Sequence, residues 1–333
     1  MTTNQNAAGD FDQGPPFVFG FTFKDGVGTA MNWEDAAAEN TGADFTWLHL
    51  NMNNDETRKW VGAQSSIPYA AKSALLAGET RPRVSTFAKG IVVNLRGVNL
   101  NEGAEPEDMV SMRIWISEKR IVTTRRRRLK AAQDLRKTII DGAKFENPGA
   151  IATKLATLLT DRMEPFINDI ADKIDALETE LIDGSGSGLR SRLAASRHDA
   201  VMIRRYITPQ REAVARLFGE DTPLFSSASK TELRETADKV TRLTEEIDAA
   251  RERAMVLQDQ LTDQRAEEMN RNMMILSVVA AIFLPLGFLT GLFGINVGGM
   301  PGVESDAAFW IVVGMCIAIG VALLFIFRKL KWL

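Results

Sequence analysis

The triplet Gly294-Ile295-Asn296 stands at the exit of an uncharged apolar run, Met273 to Phe293, shortly before a second such run, Ala307 to Phe327. An asparagine carboxamide at that place offers a neutral carbonyl oxygen. It can hydrogen-bond the water shell of a cation without trapping the ion as a carboxylate would. Steps of three and four back from Gly291 collect Gly287, Leu284, Ala280, Ser277, Met273 and Asn270, a line that is small or polar except at Met273 and Leu284. The other faces of the run are bulky, with Ile275, Val278, Ile282, Phe283, Leu286 and Phe288. Continued toward the N-terminus, the same register passes Ala266, Asp263, Asp259, Val256, Glu252, Ala249, Glu245, Arg242 and Asp238, acids against a single base. A seam of this kind serves helix packing or pore lining. Two hairpin helices cannot enclose a pore, but several copies in a closed ring could, with carboxylates gathering cations at the cytoplasmic mouth.

The two runs are long enough to cross the ~30 Å hydrocarbon core, for which about 20 apolar residues are needed, and neither sits where a cleavable signal would. Arg265 and Arg271 precede the first span and Arg328, Lys329 and Lys331 follow the second, whereas the connecting loop, 294–306, carries only Glu304 and Asp306. Basic flanks stay in the cytoplasm, so both termini are expected there and the loop is expected to face outward. The transmembrane hairpin therefore occupies 271–333, with spans at 273–293 and 307–327.

Upstream, residues 1–16 are rich in Asn, Gln, Gly, Asp and Pro and read as a disordered lead-in. Residues 17–146 read as a mixed α/β cytoplasmic domain. Strand-type runs at 17–23, 45–50, 91–98, 109–117 and 120–124 alternate with helical spacing at 55–64, 67–76 and 133–140. Ser117-Glu118-Lys119-Arg120 reads as a hairpin turn, which makes part of the sheet antiparallel. A helical and stalk region, 147–270, follows. Pro148 opens an apolar stripe that continues to Ile182, Gly184 to Gly188 forms a flexible connection, and the next helix runs from Leu189 to Phe218 with a candidate pause at Pro209. Beyond Pro223 neither glycine nor proline occurs until Pro285, which permits one helix from about Ser229 through the membrane to Phe293, roughly 95 to 100 Å long at 1.5 Å per residue. Its cytoplasmic part reads equally as a plain stalk with solvated charges or as a functional surface.

Composition excludes several classes. A net charge of -3 over 333 residues argues against a nucleic-acid partner. Arg125 to Arg128, which follow a strand and head a helix, read as solvated or interdomain charges. Cys316 is the single cysteine, inside the second span, and His49 and His198 are the only histidines, so no metal-binding Cys/His spacing exists. His49 reads as a satisfied strand residue and His198 as an ordinary helix residue. No nucleophile, base and oxyanion set and no phosphate-binding glycine loop appears, so the chain is not expected to be an enzyme and needs no resident cofactor.

Leu289-Thr290-Gly291-Leu292-Phe293-Gly294-Ile295-Asn296, followed by a short loop, a second span and a basic tail, resembles the CorA family of divalent-cation transporters, whose hallmark is Gly-Met-Asn. Glu79 to Arg83, Leu95 to Asn99, Arg113 to Ile116 and Met202 to Tyr206 resemble its ZntB-like zinc branch. The resemblance implies a homopentamer in the bacterial inner membrane, with a cytoplasmic funnel, a long stalk helix and one axial pore lined by the first span. It places Asn296 in a polar ring at the outer mouth, with Gly294 permitting the turn. Asn270, Met273, Leu284, Gly287 and Gly291 fall where the family lines its pore, and Asp259, with Asp263 beside it, falls where divalent cations are held between subunits. Two departures stand out. Ile295 replaces the usual Met, and Gly302 follows Met300-Pro301 where many magnesium members place a Glu, which points toward zinc. Direction stays open between proton-coupled uptake and efflux, and neither span holds an Asp, Glu or His to carry a proton. A magnesium or broad divalent channel, and a membrane scaffold without transport, are the competing readings.

Overall fold

The structure, a computed structural model, describes residues 14–37, 42–78, 80–183, 188–295 and 305–330. The chain divides into two compact units, Met1–Val256 and Leu257–Leu333. In the first, a seven-stranded sheet has the order β2-β1-β3-β7-β6-β5-β4. Its strands are β1 (Phe17–Lys24), β2 (Val27–Met31), β3 (Phe45–Asn51), β4 (Arg83–Phe87), β5 (Gly90–Gly97), β6 (Val110–Ile116) and β7 (Arg120–Arg125). Every neighbouring pair is antiparallel except β3 and β7, which run parallel with Leu48 opposite Val122. β3 and β6 are buried along their whole length. Helices cover both faces, and a strand covered on both sides loses the polar alternation of a half-exposed one.

On one face lie α1 (Trp33–Ala37), α2 (Asp55–Ala63) and α3 (Tyr69–Leu76). Val61, Ile67, Ala71 and Leu75 of that layer pack with Leu48, Leu50, Val92, Trp115 and Val122 of the sheet. The opposite face meets α5 (Pro148–Asp161), beside α4 (Lys130–Ile140). Ser117 closes the β6–β7 hairpin, its N–H and its hydroxyl both donating to the Arg120 carbonyl at 2.9 Å, as the turn residues lead one to expect.

Three local expectations need correction. β2 and β4 go unread because both are short edge strands whose exposed positions carry little apolar signal. The Asp25-Gly26 turn before β2, with φ of 52° and 78°, was the available cue, since both central residues adopt the left-handed conformation that a tight hairpin needs. The stripe from Pro148 to Ile182 is two helices, α5 and α6 (Glu164–Ile182), parted at Arg162 and Met163. Pro165 has no N–H to extend α5 and is tolerated in the first turn of α6. Pro209, conversely, does not interrupt α7 (Leu189–Gly219).

The long helix α8 runs from Ser227 to Phe293, and α9 from Ala308 to Lys329. Within the first unit α8 buries Leu233, Thr236, Val240, Leu243, Ile247, Ala250 and Ala254. Those alternating steps of three and four form a coiled-coil seam. Ion pairs flank it: Lys239 Nζ meets Asp161 and Glu164, each at 2.7 Å, and Arg204 and Arg253 pair with Asp248 and Asp175. These pairs are largely solvent-exposed and set register more than stability. Residues 1–13 and 184–187 lie outside the described residues. Pro16, at the end of the expected lead-in, accepts from Asn51 N and Thr57 Oγ1 at 2.9 and 3.1 Å.

Gly149, in the first turn of α5, lies against the backbone of Leu224. A Cβ there would lie 2.0 Å from the Leu224 carbonyl oxygen. Gly149→Ala should therefore lower stability by about 1–3 kcal/mol through overpacking. Gly62→Ala, in α2 with open space around it, should instead stabilise by about 0.5–1 kcal/mol. Thermal unfolding of the detergent-solubilised variants reads both signs.

Candidate functional site

In the second unit the whole small and polar seam of α8 is exposed on the single chain. Asn270, Met273, Ser277, Ala280, Leu284, Gly287 and Gly291 are all accessible, with Met273 at 52% and Leu284 at 78%. The shielded face is another one. Val278 is buried and Ile282, Pro285, Leu286 and Leu289 are half-buried, while on α9 the matching line is Ala308, Val312, Cys316, Ile319, Leu323 and Phe327. Within this unit α9 is the one other described helix. The hairpin thus shields one line of α8, from Val278 to Leu289, and leaves the seam uncovered together with bulky Ile275, Leu276, Phe283 and Phe288.

Glycines on that seam have no packing duty inside the chain, since a Cβ at Gly287 or Gly291 would meet nothing within 4 Å. Gly294 differs: a Cβ there would lie 2.9 Å from the Thr290 carbonyl oxygen, where its N–H donates to Gly291 O at 3.2 Å. A side chain there would crowd the helix end. Polar side chains in the span satisfy themselves on their own helix. Ser277 Oγ donates to Met273 O at 2.8 Å and Thr290 Oγ1 to Leu286 O at 3.0 Å, which removes the cost of an unpaired hydroxyl in hydrocarbon.

Asp259 and Asp263 are exposed on the same register of α8, as is Asn270 beyond them. Ile295 is described and 52% exposed, whereas Asn296, Met300, Pro301, Gly302 and Glu304 lie outside the described residues. Among the described residues no group of three or more His, Cys, Asp or Glu side chains gathers in a geometry that could hold a metal ion. A single chain therefore presents a line of isolated polar groups, not a site.

His49 is a satisfied strand residue. It is buried, stacked on Phe19 at 4.7 Å, with Nδ1 2.7 Å from Thr123 Oγ1. That hydroxyl accepts from Trp47 Nε1 and donates to Leu48 O, so it takes the His49 proton and sets the Nδ1–H tautomer. Arg125, whose run reads as solvated or interdomain charges, is buried at the end of β7, because β7 extends one residue beyond the expected strand.

An α/β unit followed by two helices long and apolar enough to cross a membrane has the build of a two-span membrane protein. The chain belongs to the CorA family, whose model, described as CorA-like Mg2+ transporter protein, matches residues 42–329. It is 34% identical over 287 residues to the zinc transport protein ZntB of Pectobacterium carotovorum subsp. carotovorum, covering 86% of this chain and 88% of that protein. It is 38% identical over 293 residues to the divalent cation transporter CmaX of Pseudomonas aeruginosa, covering 86% and 87%. The structure of full-length CmaX superposes with a TM-score of 0.82 at 33% identity over 96% of this chain and all of that one. The CorA magnesium transporter of Methanocaldococcus jannaschii superposes at 0.80 with 18% identity over 95% and 98%, a likeness of fold.

Burial, and then the charge of Arg125, hold the His49 imidazole well below its usual pKa. The unfolded chain takes up a proton near pH 6.5 that the native protein refuses, so this contribution to stability is whole above that pH and declines as pH falls. Melting temperature should drop between pH 7.5 and 5.5, and drop less in His49→Gln. An equal drop in both proteins would show that other groups set the acid sensitivity.

Proposed function

We propose that copies of this chain assemble as a closed ring, a homopentamer as the resemblance implies, in which the α8 seam lines an axial path for divalent cations across the inner membrane. The observation that supports the reading is the exposed seam: shielding on the span is confined to the line from Val278 to Leu289, and of what stays exposed, bulky Ile275, Phe283 and Phe288 suit lipid whereas a small, polar line facing hydrocarbon would gain nothing there. Turned to a common axis, the same line leaves room for a hydrated ion. Leu284 and Met273 would narrow the path, Gly287 and Gly291 would widen it, and Asn296 would meet the cation's water shell at the outer mouth. Asp259 and Asp263 would gather cations at the inner end, or hold one between subunits. Both termini would be cytoplasmic, on the side of Arg265, Arg271, Arg328 and Lys329. The path is a conduit and requires no catalytic step.

Zinc is the expected ion, on the printed names of the ZntB relatives and on Gly302 standing where magnesium members of the family place an acid. Zn²⁺ prefers His and Cys in a tight site, and the seam has neither, so the ion would pass with much of its water retained. Weak, neutral contacts favour release over retention. The family's description and the name of CmaX keep a broad divalent or magnesium channel within the same class.

Initial Zn²⁺ and Mg²⁺ flux into proteoliposomes, with and without a pH gradient, tests the reading and its direction. Asn296→Ala should abolish selective flux while changing stability by less than about 0.5 kcal/mol. Gly291→Leu should block flux in an oligomer that still elutes intact. Wild-type flux in the Ala variant, or a dissociated Leu variant, would overturn the axial assignment.

Metal binding at the inner end has its own readout. If Asp259 and Asp263 contact a divalent ion in the assembly, Zn²⁺ should raise the melting temperature by mass action, and the double Asn variant should lose that rise. An unchanged rise in the variant would place the metal elsewhere.

A further inference from the structure

Met269 and Met273 stand one helical turn apart on α8, and of the 13 methionines in the chain they are the only two spaced by four residues. Side chains at that spacing lie side by side, with about 5–6 Å between their Cβ atoms. Both are exposed, Met269 at 60%, and the shielded line of α8 begins only at Val278, so neither thioether is used in the hairpin. Met269 stands out further because its neighbours, from Gln264 to Arg271, are polar or charged except for Ala266. A methionine usually fills an apolar gap, and within the second unit this one has none to fill.

The groups around the pair are of one kind. Asn270, exposed between the two methionines, adds a carboxamide oxygen. Ser277, one turn beyond Met273, donates its hydroxyl proton to Met273 O at 2.8 Å, which leaves only oxygen lone pairs for anything outside the helix. From Asp259 to Arg271 the helix carries Asp259, Asp263, Glu267 and Glu268 against Arg265 and Arg271, an excess of acid that favours a cation. Two soft sulfurs therefore stand exposed among oxygen acceptors, in a region of negative charge.

We propose that Met269 and Met273 form a site for a soft monovalent cation of the copper(I) class, held by the two thioether sulfurs with the Asn270 oxygen beside them. Thioether sulfur is polarisable and uncharged, so it selects soft ions and leaves Mg²⁺ to water and carboxylates. Ag⁺ has the same charge and softness and serves as the probe. The site needs only one turn of one chain, so it stands or falls independently of the axial path and of zinc passage.

Calorimetric titration of the detergent-solubilised full-length protein with silver nitrate, in chloride-free buffer, measures the site. Cys316→Ala and His198→Gln, carried in every sample, remove the single thiol and the exposed imidazole, which also bind Ag⁺. Saturable binding of one ion per chain is expected, and Mg²⁺ in about hundredfold excess should leave it in place. Met269→Leu and Met273→Leu, which keep the apolar volume and remove one sulfur each, should each weaken binding about tenfold. Met255→Leu, at an exposed methionine of α8 with no second sulfur a turn away, should leave it unchanged. No saturable binding, displacement by Mg²⁺, or an equal loss in Met255→Leu overturns the proposal. Unchanged binding in the two seam variants overturns it as well, and if their oligomer then dissociates on size exclusion, the thioethers pack between copies of the chain.

Discussion

A backbone that leaves water must carry its own hydrogen bonds, and α8 meets that demand by remaining helical through Pro285, where the missing N–H leaves the Ala281 carbonyl without its helical donor. Everything the span can do follows from what then remains on its surface. Ser277 and Thr290 direct their hydroxyl protons back to their own helix, so they are polar without needing a partner. The faces divide accordingly. One line, from Val278 to Leu289, is shielded in the hairpin, and the small residues stay exposed, as do bulky Phe283 and Phe288.

Water imposes a different rule on the part of the same helix that precedes the span. There the apolar heptad from Leu233 to Ala254 drives packing, and the register is trimmed by pairs such as Lys239 with Asp161 and Glu164. Thr157 Oγ1 also reaches Glu232 Oε1 at 2.9 Å, so polar contacts follow the seam as well. An exposed line containing Asp238, Glu245 and Glu252 is what the heptad leaves outside. Solvated charge there costs nothing in the monomer, and repulsion between copies is the reason a bound cation would matter in an assembly.

The sheet shows how a soluble unit accommodates polar groups that its topology buries. Arg113, Asn94 and Thr124 fall on the α3 side of three adjacent strands, opposite one another in register. Thr124 Oγ1 donates to Leu75 O at 2.9 Å and Arg113 to the next carbonyls of the same turn, so the end of α3 is capped from the sheet, cation against helix C-terminus. His49 solves the same problem on the opposite face by staying neutral against Thr123.

The spans, the five longer strands, the Ser117 turn and the course of α8 were legible in the sequence because each rests on local physics: apolar length against bilayer thickness, periodicity, and the absence of helix breakers. The family too was legible, from Leu289 to Asn296 and the arginine-bearing segments upstream. Edge strands β2 and β4 were not, because a strand paired on one side carries little apolar pattern of its own. Nor was the break at Met163, since the stripe through Phe166 continues across it and only packing distinguishes one helix from two. The seam from Asn270 to Gly291 was visible as a pattern, but sequence periodicity alone cannot tell which face a neighbour will cover; the tertiary structure decided that the line from Val278 to Leu289 is the shielded one. Arg96, Arg126 and Tyr206 stand far apart in the chain, and their meeting at one pocket depends on strand order and on the Gln210 clamp, which are long-range contacts no local pattern encodes.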